Sequence, residues 1–146
     1  MRSHPQIPLH REEHTAADNA LLYRLLEGCP EAMWLRDESG MHVYVNEKAR
    51  SSGVMPGDRL QILRGKGYSA EQIASAAADD KTVLHTRQPL TRTVTFIDPS
   101  GKERTMLVMK FPILASWDRP LVGAIAVDLT DVIKNLQVPG VHGQAA

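Results

Sequence analysis

The segment LTRTVTFIDPSGKERTMLVMKFPI, residues 90–113, predicts two long antiparallel strands joined by a tight turn. In residues 90–97, threonines alternate with other side chains at the period of a half-buried strand. Asp98-Pro99-Ser100-Gly101 has the composition of a four-residue turn. The alternation then resumes, so that one face carries Leu107, Met109, Phe111 and Ile113 and the other carries Arg104, Met106, Val108 and Lys110. The two strands predict the first half of an antiparallel sheet.

Three more strands complete the predicted sheet. Leu121–Leu129 is apolar on both faces, which is typical of a central strand. Glu31–Arg36 and Met41–Val45 flank the turn sequence Asp37-Glu38-Ser39-Gly40 and predict a hairpin. We therefore expect an α+β fold with a five-stranded antiparallel sheet and helices on one face.

Capping signals mark the helices that connect these strands. Thr15 with Asp18 begins a helix that ends near Gly28, and Asn46 caps a short helix over 47–52. Ser69 with Gln72 forms a capping box for a helix that starts at Ala70 and ends near Thr86, with a break expected at Asp79-Asp80. Asp58 predicts one further helical turn, through Leu63, and the last helix covers 131–136.

Composition restricts the functions that the chain can have. The 146 residues fit one domain, and 17 Lys+Arg balance 17 Asp+Glu. Zero net charge argues against nucleic-acid binding and against a polybasic membrane anchor. The single cysteine, Cys29, excludes an internal disulfide and a cysteine-rich zinc site. No stretch has the length and hydropathy of a membrane span or a signal peptide, so we predict a cytoplasmic protein with no membrane partner.

The order of short motifs between Gly28 and Lys134 resembles the PAS family of sensory modules. The matching motifs are Pro30-Glu31-Ala32-Met33, Asp37 with Gly40, Asn46, residues 80–84 with Gln88-Pro89, residues 98–102, Pro112 with Gly123, and Asp128-Leu129-Thr130. The resemblance implies a small cavity between the sheet and its helices. It divides the chain into a flexible arm (1–14), a flanking dimerisation helix (15–28), a sensor core (29–130) and the start of an output helix with a frayed tail (131–146).

One departure from the family pattern directs attention to the cavity. His42 stands where the family usually has a branched aliphatic residue. If the strand is regular, His42 and Tyr44 share a face, and we expect that face to look into the cavity. The ligand-binding residues predicted on this basis are His42, Tyr44, Asn46, Met109 and Phe111.

A second prediction concerns dimerisation and signal output. Leu21, Leu22, Leu25 and Leu26 form a stripe at helical spacing, and the resemblance implies that this helix pairs with its copy in a homodimer. We expect Trp34 outside the cavity, beneath this helix or at the dimer interface, and Trp117 in an exposed loop. Asp128 and Thr130 precede the output helix and are predicted to relay the signal.

Motifs for catalysis and for cofactors are absent from the sequence. It has no nucleophile elbow, phosphate-binding glycine loop or His-Glu-x-x-His helix, so we predict no catalytic residue. Only His10 and His14 among the six histidines have metal-ligand spacing, and they lie in the arm, so we predict no metal. His85 with Met106 or Met109 could ligate haem, but we expect an exposed His85. The cysteine motif of flavin photosensors is absent, and we predict no flavin.

The sequence therefore predicts a non-catalytic sensory domain of a bacterial signalling protein such as a sensor kinase, cyclase or transcription regulator. It would sense a small ligand or relay a signal through dimer rearrangement. A ligand-free homodimerisation or protein-interaction module is one alternative, and a haem-binding gas or redox sensor is the other. Sixteen residues follow Thr130 in this chain, which leaves either a fragment of a longer protein or a stand-alone module.

Overall fold

The computed structural model describes residues 16–113 and 120–136 of the chain. The strands are β1 (Ala32–Asp37), β2 (His42–Val45), β3 (Leu90–Ile97), β4 (Glu103–Ile113) and β5 (Leu121–Asp128). The α-helices are α1 (Ala16–Glu27), α2 (Glu47–Ser51), α3 (Ala70–Thr86) and α4 (Thr130–Leu136). A 3₁₀ helix spans Leu60–Lys66. The arm, Thr15, residues 114–119 with Trp117, and the tail lie outside the described residues.

The five strands form one antiparallel sheet in the order β2-β1-β5-β4-β3. The predicted α+β fold is confirmed, and β5 lies in the middle, as its apolar sequence indicated. Small residues on β5 let neighbouring side chains approach closely: a Cβ on Gly123 would come within 2.5 Å of the Phe111 ring. Val108, Ala124 and Ala126 form the buried centre, with Trp34 and Met106 packed against them.

A β-bulge in the first hairpin changes which face each side chain of β2 occupies. Leu35 pairs with Tyr44 and the next residue, Arg36, pairs with His42, so Val43 is extra on β2. One inserted residue moves the side chains on its two sides to opposite faces of the sheet. The prediction that His42 and Tyr44 share a face is therefore wrong.

Asn46, at the end of β2, links β1, α1 and α2 through side-chain hydrogen bonds. Its Oδ1 accepts hydrogen bonds from the backbone N–H of Met33 (3.0 Å) and of Ala49 (3.0 Å), which caps α2 as predicted. Its Nδ2 donates to the carbonyls of Leu26 (3.0 Å) and Glu31 (3.0 Å). The residue is fully buried, and its amide has two donors and two acceptor sites, all of them used.

Helix α3 is continuous from Ala70 to Thr86, so the break expected at Asp79-Asp80 is wrong. The predicted capping box is present: Ser69 accepts from the Gln72 backbone, and the Gln72 side chain accepts from the Ser69 backbone. The two aspartates stay within the helix because both find cationic partners on the sheet. The expected cap at Asp58 is absent, since that carboxylate accepts from the Met55 backbone instead.

The four hydrogen bonds of Asn46 lead to a stability prediction. Asn46→Ala removes the side-chain partner of the Met33 and Ala49 N–H groups and of the Glu31 carbonyl, and we expect it to lower the free energy of unfolding by about 3 kcal/mol. Asn135→Ala, on the exposed side of α4, is the control and should change it by less than about 0.5 kcal/mol. Urea unfolding measures both, and equal stability of the two variants would contradict the assignment.

Candidate functional site

A cavity of about 760 Å³ lies between one face of the sheet and the helices that cover it. Helix α3, the 3₁₀ helix and α2 contribute to its walls, and all five strands contribute residues to its floor. The residues that line it include Trp34, Arg36, His42, Tyr68, Ala76, Val94, Phe96, Met106, Val108 and Lys110. Its volume is in the range that accommodates small-molecule ligands in other proteins, about 300–1,000 Å³.

A buried charge cluster forms one wall of this cavity. The Asp80 carboxylate on α3 accepts from Arg36 Nε (2.8 Å) and Nη2 (3.2 Å) on β1, and from Lys110 Nζ (2.7 Å) on β4. Lys110 also donates to the Ala76 carbonyl (3.1 Å). Arg36 is 2% exposed and Lys110 is 4% exposed, so both cations are almost completely shielded from bulk solvent. The cluster therefore ties α3 to two strands and faces the cavity with its cations.

Burial and charge act in opposite directions on the pKa values in the cluster. Burial alone would raise the pKa of Asp80, but Arg36 and Lys110 outweigh it and hold that pKa below the usual range. For Lys110, burial lowers the pKa, and the attraction of Asp80 only partly offsets it while Arg36 adds repulsion. The pKa of Lys110 therefore lies below its usual value, mainly because the ammonium is buried.

His42 completes the cluster as a neutral ring. Its Nδ1 lies 2.8 Å from the Asp58 carbonyl, which can only accept, so Nδ1 carries the proton. Nε2 then accepts from Arg36 Nη1 at 3.2 Å. Burial is the main cause that lowers the pKa of His42, and this favours the neutral form that both contacts require. The prediction that His42 looks into the cavity agrees with its place in the lining, and a ligand contact by His42 stays a prediction.

Trp34 lies in the cavity lining, so the prediction that it lies outside, at a dimer interface, is wrong. It shares the inward face of β1 with Arg36, whose guanidinium carbon is 5.5 Å from the indole centroid. Its Nε1 is buried and has no hydrogen-bond partner among the described residues. This part of the cavity is therefore poor in hydrogen-bond acceptors, and leaving a buried N–H without one is energetically costly.

Two aromatic rings form a second part of the lining. Tyr68, after the 3₁₀ helix, stacks on Phe96 of β3 with ring centroids 4.3 Å apart and an interplanar angle of 25°. Burial raises the pKa of Tyr68 to about 12, so its phenol is neutral. With Trp34, these rings supply flat apolar surfaces to the cavity lining.

Three of the other predicted ligand residues do not reach the cavity. Met106, Val108 and Lys110 line it, so Met109 and Phe111 on the same strand occupy the opposite face of the sheet. The two faces of β4 were predicted correctly, but the wrong one was assigned to the cavity. Asn46 has no free hydrogen-bonding capacity for a ligand, because its four bonds go to the backbone.

Tyr44 belongs to a separate contact on the outer side of the bulge. Its hydroxyl donates to Glu27 Oε2 (2.9 Å) at the end of α1, and its ring meets Tyr23 edge-on at 6.0 Å. Arg50 also donates two hydrogen bonds to Glu27, which lowers the pKa of Glu27 to about 2. Tyr44 thus fastens α1 to β2 and is not part of the cavity lining.

The residues predicted for dimerisation are in part well exposed. Leu21 is 53% exposed and Leu25 is 63% exposed on α1, whereas Leu26 is half-buried. The side chain of Leu22 lies outside the described part of the chain. Exposed leucines one turn apart are typical of a helix that contacts another chain. The pairing of α1 with another chain stays a prediction.

Asp128 and Thr130 join the end of β5 to the start of α4. Asp128 Oδ1 accepts from both the backbone N–H and the hydroxyl of Thr130, and the Thr130 hydroxyl accepts from the Thr105 backbone (3.0 Å). Arg104 bridges Asp128 (3.0 Å) and Asp98 (2.9 Å). The first turn of α4 is therefore fixed to β4, and its role as a signal relay stays a prediction.

For metals and cofactors, the structure gives the following positions. Within residues 16–113 and 120–136, no three His, Cys, Asp or Glu side chains are grouped to hold a metal ion. His85 is exposed on the last turn of α3, Met106 lines the cavity and Met109 occupies the other face of the sheet. His4, His10, His14 and His142 lie outside the described residues. None of the described helices is long and apolar enough to cross a membrane.

Solved structures of other proteins are similar to this chain in fold. The PAS domain of Bordetella pertussis BvgS is 15% identical, with 83% of this chain and 95% of that chain covered and a TM-score of 0.61. The PAS domain of an HTR-like protein from Haloarcula marismortui is also 15% identical, with 81% and 97% covered and a TM-score of 0.58. The chain has the PAS fold.

A ligand complex is also among the structures similar to this PAS fold. The complex of phage VqmA with DPO is 18% identical, with 83% of this chain and 57% of that chain covered and a TM-score of 0.63. The chain thus spans little more than half the length of that VqmA chain. No protein-family model matches the sequence, and no curated protein matches it significantly.

The two neighbouring aspartates of α3 provide a matched test of the charge cluster. Asp80→Asn leaves Arg36 and Lys110 buried without a countercharge, and we expect it to lower the free energy of unfolding by about 3 kcal/mol. Asp79→Asn removes the charged partner of Arg92, which is 49% exposed, and a smaller attraction on Lys110, and it should cost about 1 kcal/mol or less. Urea unfolding separates them, and an Asp80→Asn variant as stable as Asp79→Asn would refute the buried cluster.

Proposed function

We propose that this PAS domain is a non-catalytic sensory module of a signalling protein and binds a small molecule in its cavity. The observation that carries the proposal is the buried cluster of Arg36, Lys110 and His42 in the cavity wall. Charged side chains are expensive to bury, and a fold without a ligand would be served as well by aliphatic side chains there.

The same cluster gives ligand binding a route to the rest of the domain. Asp80 belongs to α3, whereas Arg36 and Lys110 belong to β1 and β4. A ligand that draws either cation toward itself would change how firmly α3 is held on the sheet. Differential contacts of this kind are what allow a ligand to shift a two-state equilibrium.

The junction at Asp128 and Thr130 is the proposed exit for the signal. Thr130 fixes the start of α4 to the backbone of β4, and Lys110 lies on that strand. A shift of β4 would therefore reorient α4 and whatever follows it. Solved neighbours include a PAS domain from a two-component sensor histidine kinase and the VqmA complex with DPO, which is consistent with a bacterial sensor of this type.

A cavity-filling pair of variants tests ligand binding. Ala76 lines the cavity, whereas Ala78 is exposed on the same helix. We expect compounds that raise the melting temperature of the wild-type protein in a small-molecule screen to lose this effect with Ala76→Phe. The same compounds should keep it with Ala78→Phe, which has the same helix propensity cost. A screen without binders, or binders that both variants retain, would contradict the proposal.

A second candidate function, homodimerisation or protein interaction through α1, is favoured by the exposure of Leu21 and Leu25. These side chains stand one turn apart, so together they form an apolar strip on one side of the helix. The two functions are compatible, because the strip and the cavity involve different residues.

The dimer prediction is tested by charging this strip. Leu21→Asp with Leu25→Asp should convert a dimer to a monomer in multi-angle light scattering, because carboxylates cannot be buried between two helices without partners. Ile97→Asp, at another exposed apolar position at the end of β3, is the control and should leave the dimer intact. A wild-type monomer, or a dimer that survives both Leu substitutions, would eliminate this function.

A further inference from the structure

Hydrogen-bond donors outnumber acceptors in the charged wall of the cavity. Arginine has five N–H donors and lysine has three. Arg36 uses three of its donors, two toward Asp80 and one toward His42, and Lys110 uses two, toward Asp80 and the Ala76 carbonyl. Three donors on buried cations therefore remain without a partner among the described residues. The unpaired Nε1 of Trp34 adds a fourth.

His42 offers no acceptor to balance these donors. Its Nδ1 proton is committed to the Asp58 carbonyl, and its Nε2 lone pair is committed to Arg36. Asp80 lies behind the cations and is not part of the lining. An occupant of this wall would therefore have to bring acceptors.

The net charge of the side chains that line the cavity is positive, in agreement with the excess of hydrogen-bond donors. Six Lys or Arg side chains but only four Asp or Glu side chains line it. Three of those four carboxylates are engaged with arginines: Asp79 with Arg92, and Asp98 and Asp128 with Arg104. Even with Asp80 counted, the cations exceed the carboxylates by one. The cluster of Arg36, Lys110 and Asp80 has the same excess by itself.

We propose that the ligand of this site is a small organic monoanion, a carboxylate carried on a flat ring. The assignment rests on the proposed sensory function and names the chemical class of its ligand. The carboxylate would accept from the spare donors of Arg36 and Lys110, and the ring would lie against the neighbouring indole of Trp34. Charge-assisted hydrogen bonds of this kind are the strong ones, particularly where water is excluded.

A phosphate group fits these observations less well. Phosphate monoesters carry a charge close to two at neutral pH, whereas the wall has one uncompensated positive charge. The structure also offers the aromatic surface of Trp34 next to Arg36, which a flat apolar body would cover and an inorganic oxyanion would not.

Isothermal titration calorimetry with four probes tests the assignment on the unmodified protein. Benzoate is compared with benzamide, its neutral counterpart of the same shape, with acetate, which lacks the ring, and with inorganic phosphate. We expect benzoate to bind at least tenfold more tightly than each of the other three. Tighter binding of phosphate, or equal binding of benzoate and benzamide, would overturn the assignment.

A pair of charge-removing variants locates the contact. Lys110→Gln keeps a donor for Asp80 and the Ala76 carbonyl but removes the charge, and it should weaken benzoate at least tenfold while benzamide changes little. Lys102→Gln removes one charge at the exposed turn between β3 and β4 and should leave both affinities unchanged. Circular dichroism verifies that each variant is folded, and an equal loss in the two variants would overturn the assignment.

The outcome of these titrations is separable from that of the proposed function. If the compound screen yields binders that the Ala76→Phe variant rejects but that are neutral or cationic, the sensory function stands and the anion assignment fails. If the screen yields none and benzoate does not bind, both fail.

Discussion

The carboxylate of Asp80 is the contact on which the rest of the domain depends. It brings α3, β1 and β4 together through two cations that are each almost wholly buried. Without it, Arg36 and Lys110 would remain in a low-dielectric interior without their ion-pair partner, and the helix would lose its ion pairs to β1 and β4. The same arrangement creates the cavity wall, because a helix held by long side chains stands away from the sheet and leaves space between them.

The bulge at Val43 determines which side chain of β2 lines the cavity. Because one extra residue separates the two pairings, His42 turns toward Arg36, whereas Tyr44 turns toward α1 and Glu27. A single irregularity in β2 therefore divides two neighbouring polar side chains between the cavity and the flanking helix. The cavity contact orients Arg36, and the outer contact holds α1.

Local signals in the sequence predicted most of the fold. Capping at Asn46 and Ser69, the turn after Ile97 and the apolar run of β5 each depend on residues close together in the chain, and all are present. Alternation along β4 gave two faces correctly, yet it carries no information about which face the helices cover.

The charged wall was missed for a related reason. Lysine and arginine are rarely buried, so alternation alone does not place Lys110 and Arg36 in the interior, and the Asp79-Asp80 pair predicts a helix break that the structure does not have. A signal was nevertheless available: each of these cations stands among apolar residues of its strand, and the two carboxylates stand within an alanine-rich helix.

The most direct test of the under-compensated cluster is an NMR titration of the Lys110 ammonium, with Nζ labelled with ¹⁵N. The account predicts a midpoint below the ordinary lysine pKa of 10.5, because burial and Arg36 outweigh the attraction of Asp80. A midpoint at or above 10.5 would mean that Lys110 is solvated or fully compensated, and would contradict it.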